Sequence, residues 1–137
     1  MRLMIDTNIF LDVMLCRRPF FDHSRDVLDL CEKKKAHGYI SASCVSDIFY
    51  IVNRYSKRAG FAYRALDQIF EIAKVLTVTN DNVISAFIQY PDDFEDCLLA
   101  ECAKTNKCDA IVTRNKEDFA GFGIPVLSPE DVVASIG

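Results

Sequence analysis

The sequence predicts an α/β domain with a mostly parallel sheet and helices on both faces. Short apolar runs, which are typical of buried strands, alternate along the chain with longer stretches whose apolar residues recur at helical spacing. The 137 residues are 50% apolar and 26% charged, without repeats or low-complexity segments, so we expect one domain over residues 1–137. At this length a core forms without disulfides or a structural metal.

The first half of the chain predicts three strands and three helices. They are, in order, a strand at residues 2–5 that ends in a polar loop at residues 6–8, a helix at residues 20–34, a strand at residues 39–40, a helix after Ser43, a helix at residues 61–73 and a strand at residues 75–78. Ser43 is the expected N-cap of its helix, and Gly60 separates the two helices that follow each other.

The second half predicts three helices and two strands. They are a helix that Asn80 caps and Pro91 ends, a helix at residues 94–104 capped by Asp92 or Asp93, a strand at residues 110–112, a strand at residues 126–127 and a closing helix after Ser128. Parallel strands joined by helices place their carboxyl ends at one edge of the sheet, where ligands bind in such folds. Two polar clusters, at residues 6–8 and 113–118, lie at that edge.

The charges are segregated along the chain, although the net charge is only −4. Between Asn53 and Arg64 the sequence has four basic residues and no acid, interleaved with aromatic residues, whereas acids gather at residues 92–96 and 117–118. The basic segment is either a local nucleic-acid contact or an ordinary solvated helix face, because the overall charge gives no general attraction to nucleic acid.

The spacing of the cysteines and the length of the apolar runs exclude several classes of protein. No Cys/His spacing matches a zinc site, and we expect all six cysteines to be reduced, with Cys44, Cys97 and Cys102 packed as small apolar residues. Asp6 and Asn8 interrupt the first apolar stretch, so it does not resemble a signal peptide, and no run of 18 apolar residues occurs. We therefore expect a cytoplasmic protein with no membrane span.

Four aspartates are the candidate catalytic residues. Each occurs beside a predicted strand end or in the first turns of a predicted helix: Asp6, Asp47, Asp96 and Asp118. Any one of them has an ordinary alternative role as a helix-dipole partner or a turn residue. Carboxylates that converge on one pocket repel one another, and a divalent cation supplies the missing charge. Oxygen ligands favour Mg²⁺ or Mn²⁺.

Three motifs in this order resemble the PIN domains, a family of metal-dependent ribonucleases that includes the VapC-type toxins. The motifs are residues 4–12 (MIDTNIFLD), 93–98 (DFEDCL) and 111–119 (IVTRNKEDF). The resemblance spans essentially the whole chain. It implies a three-layer α/β/α sandwich around a five-stranded parallel sheet, with an acidic pocket for one or two Mg²⁺ or Mn²⁺ ions and single-stranded RNA as the substrate.

The resemblance also implies roles for individual residues. Asp6, Asp96 and Asp118 correspond to metal ligands, and Asp47 stands where many members have Glu. Asn115 stands where some members have Asp, and it would support the site together with Asn8 and Thr113 by orienting the acids or a water. The expected RNA-backbone contacts are Arg17, Arg18, Arg54, Lys57, Arg58 and Lys116, with Tyr55 or Tyr63 stacking on bases.

The predicted reaction is hydrolysis of an RNA phosphodiester by a metal-activated water, which releases a 3′-hydroxyl. The expected partners are a second copy of the chain and a small antitoxin that covers the acidic groove. A non-catalytic PIN-like scaffold that binds RNA or protein is the alternative, because Asp47 and Asn115 depart from the family pattern. A phospho-acceptor receiver domain is disfavoured, since Thr77-Val78-Thr79 replaces its acceptor aspartate and Ser128-Pro129 its lysine.

Overall fold

The computed structural model describes residues 1–136 and contains a five-stranded sheet in which every pair of neighbours is parallel. The strands are β1 (Arg2–Ile5), β2 (His37–Ser41), β3 (Ala73–Leu76), β4 (Ala110–Val112) and β5 (Val126–Leu127). Their order is β3-β2-β1-β4-β5. The chain therefore reverses its direction of travel across the sheet between β1 and β4, and such a switch point opens a crevice at the carboxyl ends of the two strands.

Seven α-helices and a 3-10 helix connect and cover the strands. The α-helices are α1 (Thr7–Met14), α2 (Phe21–Glu32), α3 (Ala42–Ser56), α4 (Phe61–Ile72), α5 (Asn80–Ile88), α6 (Phe94–Thr105) and α7 (Pro129–Ile136), and the 3-10 helix is Lys116–Phe119. Helices α1, α2, α4 and α7 pack into one group, and α3 packs against α1 and α4 of that group. Helix α5 packs on α6. The predicted α/β/α sandwich is confirmed.

The central strands are buried on both faces. Leu3, Met4 and Ile5 of β1 are fully buried, as are Ile111 and Val112 of β4. Two covered faces explain why these strands read as continuous apolar runs without polar alternation. Four of the six cysteines are buried as well, including the three predicted to pack in the core, and all six thiols are free.

The predicted polar loop at residues 6–8 is wrong. Helix α1 begins at Thr7, directly after β1, and Asp6 occupies its N-cap position with extended backbone angles. The sequence hid this helix because its first turn is polar and its buried residues Ile9, Phe10 and Leu11 are contiguous, which gives no helical period.

Several predicted boundaries shift by one to three residues. The N-cap of α3 is Ser41 rather than Ser43, because the Ser41 hydroxyl accepts the Ser43 backbone N–H. Thr79 rather than Asn80 caps α5, in a reciprocal capping box with Asn82. Strand β3 begins at Ala73, since its pairing with β2 takes the residue that the helical pattern had assigned to α4. Between residues 1 and 136, none of the helices has both the length and the apolarity that a bilayer span requires.

Candidate active site

Asp6 is held at the switch point between β1 and β4. Its backbone N–H donates to the Val112 carbonyl oxygen at 2.9 Å, and its carboxylate oxygen Oδ2 accepts the hydroxyl of the fully buried Thr113, also at 2.9 Å. Burial raises the pKa of the Asp6 carboxyl above its ordinary value, although the Thr113 hydrogen bond and the Arg114 charge oppose this rise. The Thr113 hydroxyl therefore fixes the orientation of the Asp6 carboxylate.

Asp96 faces the same region from the first turn of α6. Asp93 caps this helix by accepting the Asp96 backbone N–H at 3.0 Å. Burial is the largest cause of a rise in the pKa of Asp96 to about 7, and the negative charges of Asp93, Asp6 and Asp118 contribute to this rise in that order. Asp96 and Asp6 thus belong to one electrostatic cluster although 90 residues separate them in the sequence.

Asp118 enters the cluster from the 3-10 helix. It lines an acidic cleft of about 350 Å³ whose other walls are Pro91, Asp92, Asp93, Asp96, Glu117, Ala120 and Phe122. Asp6 does not line this cleft and lies deeper, with only 8% of its surface exposed. The structure therefore brings together three of the four predicted aspartates, Asp6, Asp96 and Asp118.

Asp47 joins the cluster through Glu95, a residue that the sequence analysis did not select. A hydrogen bond with Asp47, burial, and the charges of Asp47, Asp93 and Asp6 together raise the pKa of Glu95 to about 7. Asp47 therefore lies at the rim, in contact with a second carboxyl group. The only sequence signal for Glu95 was its position in the acidic run at residues 92–96.

The donor chemistry of this cluster fits a hard divalent cation. Every candidate ligand is an oxygen, and the raised pKa values of Asp96 and Glu95 show that the cluster lacks positive charge. Across residues 1–136, no three Asp, Glu, His or Cys side chains form a closed metal cage. An ion that keeps several waters and uses one or two carboxylates, as Mg²⁺ does, needs no such cage.

The nearest thiol does not alter this donor set. Cys44, in the first turn of α3, feels the charges of both Asp6 and Glu95. Burial raises the pKa of the Cys44 thiol to about 11, so it stays protonated at neutral pH. A thiol that stays protonated is a poor nucleophile at neutral pH.

The site is also supported by a buried ion pair between Asp12 and Arg114, which the sequence analysis missed. Asp12 of α1 is fully buried and accepts two hydrogen bonds from Arg114, at 2.7 and 2.9 Å, and one from the Ser24 hydroxyl at 2.9 Å. The Arg114 guanidinium also lies 3.8 Å from the ring centroid of Phe20. This pair ties the segment after β4 to α1. Its sequence signal was a lone acid in an otherwise apolar run.

The remaining predicted residues occupy different environments. The Asn8 side chain accepts a hydrogen bond from Arg17 at 3.3 Å, which places Arg17 beside the start of α1, and the Asn115 backbone N–H donates to the Thr113 hydroxyl at 3.1 Å. Two of the predicted RNA contacts are engaged in ion pairs, Arg18 with Asp22 and Lys116 with Asp131. The others, Arg54, Lys57 and Arg58, lie exposed at the end of α3 and in the turn after it.

Solved structures of toxin–antitoxin proteins share this fold. VapBC2 from Rickettsia felis, bound to a DNA fragment from its promoter, superposes with a TM-score of 0.71 at 18% identity, over 93% of this chain and 98% of that chain. A toxin–antitoxin complex from Klebsiella pneumoniae gives 0.69 at 19% identity, over 93% and 97%. VapC20 from Mycobacterium tuberculosis, a toxin that cleaves the sarcin–ricin loop, gives 0.63 at 15% identity, over 80% and 86%.

Identities this low show a common fold and nothing finer. No curated protein matches the sequence. The family model described as "PIN domain" matches residues 2–117, which is most of the chain and includes Asp6, Asp47 and Asp96.

Proposed function

This chain belongs to the PIN domain family, and we propose that it is an Mg²⁺- or Mn²⁺-dependent endoribonuclease that hydrolyses single-stranded RNA as the toxin of a toxin–antitoxin pair. The observation that carries the proposal is that Asp6, Asp96 and Asp118 come together from three separate elements. Asp96 and Asp118 line one cleft and Asp6 lies deeper, and burial and the charges of Asp93, Asp6 and Asp118 raise the pKa of Asp96. A structural role does not account for acids that destabilise one another in this way, whereas a cation site does.

The chain's own residues divide the work of such a reaction. Asp6, Asp96 and Asp118 would hold the cation, and Thr113 keeps the Asp6 carboxylate aimed at the cleft. When bound there, the cation supplies the Lewis acidity that activates a water and neutralises charge on the phosphate. Glu95, whose pKa is raised by its hydrogen bond with Asp47 at the rim, would accept or release a proton near the attacking water. Asn8 and Asn115 would orient the acids or a water.

The proposed RNA and protein partners are supported by the basic residues of the surface and by the similarity of this fold to a toxin–antitoxin complex. Arg17 lies beside α1, and with Arg18, Arg54, Lys57, Arg58 and Lys116 it would bind phosphates. A small antitoxin would cover the acidic cleft and place an arginine among its carboxylates. The similarity of this fold to the toxin–antitoxin complex from Klebsiella pneumoniae supports such a partner. We propose a cytoplasmic homodimer as the functional unit.

Cleavage of an RNA mixture with sequencing of the product ends tests this function. The purified protein is incubated with Mg²⁺ or Mn²⁺, with EDTA in a parallel reaction, and beside an Asp6→Asn/Asp96→Asn variant. An Asp22→Asn/Asp29→Asn variant on α2 changes the net charge equally at a distance from the cleft and is the matched control. We expect cleavage that EDTA and the first variant abolish and that the control retains.

Absence of cleavage at every metal concentration, with bound antitoxin excluded by mass spectrometry, would refute the nuclease. RNA or protein binding would then identify the non-catalytic scaffold. Its specific support is the position of Asp47, whose side chain is one methylene shorter than Glu and contacts Glu95 at the rim.

A further inference from the structure

Four cations cluster where α3 turns into α4, and none has an acidic partner. They are Arg54, Lys57, Arg58 and Arg64. Of the twelve other lysines and arginines, five form ion pairs within residues 1–136, namely Arg18, Arg25, Lys104, Arg114 and Lys116. Throughout the part of the chain that the structure describes, no ion pair includes any of the four. On a protein of net charge −4, this turn is a local source of positive potential.

Aromatic rings stand beside these cations. Phe49 contacts Tyr50 and Tyr63 in edge-to-face geometry, with ring centroids 5.7 and 4.8 Å apart, so the three rings form a row across α3 and α4. The two outer rings are largely exposed, at 69% for Tyr50 and 70% for Tyr63. An exposed tyrosine ring that a neighbouring ring holds in place is a platform on which an unpaired base can stack.

The face of α3 connects this platform to the carboxylate cleft. Asp47, Tyr50 and Arg54 occupy positions i, i+3 and i+7, which lie along one side of a helix. At 1.5 Å per residue, Arg54 lies about 10 Å along the helix axis from Asp47. Asp47 is hydrogen-bonded to Glu95, and Asp96, the next residue of α6 after Glu95, lines the cleft. One helix face therefore leads from the cleft rim to the cation cluster.

We propose that this face of α3, with the adjoining end of α4, is a binding track for single-stranded RNA that leads away from the cleft. Tyr50 and Tyr63 stack on unpaired bases, while Arg54, Lys57, Arg58 and Arg64 contact successive phosphates. The inference rests on the proposed function for its substrate class. It adds the direction in which the strand leaves the cleft, and it assigns roles to Tyr50 and Arg64, which the sequence analysis did not select.

The charge of the track favours RNA over a protein partner. A row of phosphates offers one negative charge per nucleotide, and the four cations have no internal acid to satisfy. The exposed rings favour single strands, because bases in a duplex are already stacked and cannot reach a side-chain ring. A peptide or a second copy of the chain would cover the rings but would need a matching set of acids.

Fluorescence anisotropy with a fluorescein-labelled 12-nucleotide oligouridylate tests the track, with EDTA present so that binding is measured without cleavage. The variants are Arg54→Glu/Arg58→Glu and Tyr50→Leu/Tyr63→Leu. The matched control is Lys33→Glu/Lys35→Glu, which makes the same charge change on exposed residues after α2. Thermal melting checks that each variant is folded, and light scattering reports its oligomeric state.

We expect the arginine variant to weaken binding at least about tenfold and to lower the slope of log affinity against log salt by about 1.4, as the loss of two phosphate contacts requires. The tyrosine variant should weaken binding at least about fivefold with a smaller change in salt slope. The lysine control should change affinity less than about threefold.

Equal losses for the two charge-reversal variants would overturn the track, since they would show only long-range electrostatics. Retained RNA affinity together with lost self-association would overturn it in favour of a protein interface. Failure of the proposed function is distinguishable: a wild-type chain that binds RNA through the track but never cleaves it refutes the nuclease alone. A chain that cleaves RNA while the track variants bind and cleave like wild type refutes the track alone.

Discussion

Two kinds of acidic residue occur side by side in this molecule, and they differ in whether the fold supplies a counter-charge. Glu101 of α6 is buried and has partners for its charge, with Lys104 at 2.6 Å and hydrogen bonds from Ser85 and Gln89. Although burial opposes it, these contacts hold the pKa of Glu101 below its ordinary value. Asp96 lies five residues earlier in the same helix, and burial together with its acidic neighbours raises its pKa to about 7.

The same contrast occurs in α1 and just before it. Asp12 is fully buried and paired with Arg114, whereas Asp6 is nearly as buried and its pKa is raised. Burial is therefore not what distinguishes the two groups. The compensated acids Asp12 and Glu101 hold elements of the fold together, whereas the uncompensated acids Asp6 and Asp96 form no ion pair within residues 1–136.

The largest expected effect is on RNA cleavage, and it should distinguish a change at Asp96 from a change at Glu101. Asp96→Asn should lower RNA cleavage about 100-fold or more, because loss of a group next to the ligands already costs 10–100-fold in metal sites. Its melting temperature without metal should stay the same or rise, since a source of repulsion is removed. Glu101→Gln should do the opposite: cleavage per folded molecule is retained and stability falls by about 1–2 kcal/mol. Similar effects of both variants on cleavage would contradict the division into compensated and uncompensated acids.

The largest expected effect on stability comes from the Asp12–Arg114 pair. Arg114→Met leaves a buried carboxylate unpaired and should lower the free energy of unfolding by about 3–5 kcal/mol in urea titrations. An Asp12→Leu/Arg114→Met double variant should recover most of this loss, because it removes both charges. The control is Arg18→Met at an exposed pair, which should cost less than about 1 kcal/mol. A small loss at Arg114 would show that the pair is not structural.

The pH dependence of stability should carry the signature of the uncompensated acids. The folded pKa of Asp96 and of Glu95 is about 7, against ordinary values of 3.8 and 4.5. Between these limits the folded protein binds more protons than the unfolded chain, so the free energy of unfolding in EDTA should fall as pH rises from about 4 to about 7. Thermal melts across this range measure the fall.

Added Mg²⁺ should offset this loss most at the high end of the range, because deprotonated carboxylates bind the cation. Asp96→Asn should flatten the profile and weaken the effect of Mg²⁺. A stability profile that rises with pH in EDTA would contradict the electrostatic reading of the cleft.

The smallest expected effect follows from adding an acid to the uncompensated group. Asn115→Asp should tighten Mg²⁺ binding by about tenfold or less, since one more carboxylate raises the site's charge, and should lower the melting temperature in EDTA. Calorimetric titration with Mg²⁺ measures the affinity. Asn53→Asp, on the exposed side of α3, adds the same charge elsewhere and should leave Mg²⁺ binding unchanged. Weaker binding by Asn115→Asp would place this residue away from the cation.

Local physics determined much of the molecule directly from the sequence. The strands at residues 2–5 and 110–112 were predictable because buried parallel strands are continuous apolar runs, and the start of α7 was predictable because the Ser128 hydroxyl accepts the Asp131 backbone N–H. Asp6, Asp96 and Asp118 could be selected because each followed a strand or opened a helix in a polar motif. Helix α1 could not be predicted, because its polar first turn and contiguous apolar residues carry no helical period.

Only the tertiary structure decided which acids are compensated. Asp12 and Arg114 are 102 residues apart, and Asp6 and Asp96 are 90 apart, so their relations depend on the order β2-β1-β4 and on the packing of α6 and the 3-10 helix beside it. The sequence determined that the chain has acids at strand ends and helix starts. The fold determined which of them meet a cation and which meet one another, because Coulomb interactions depend on distance in space and not on separation along the chain.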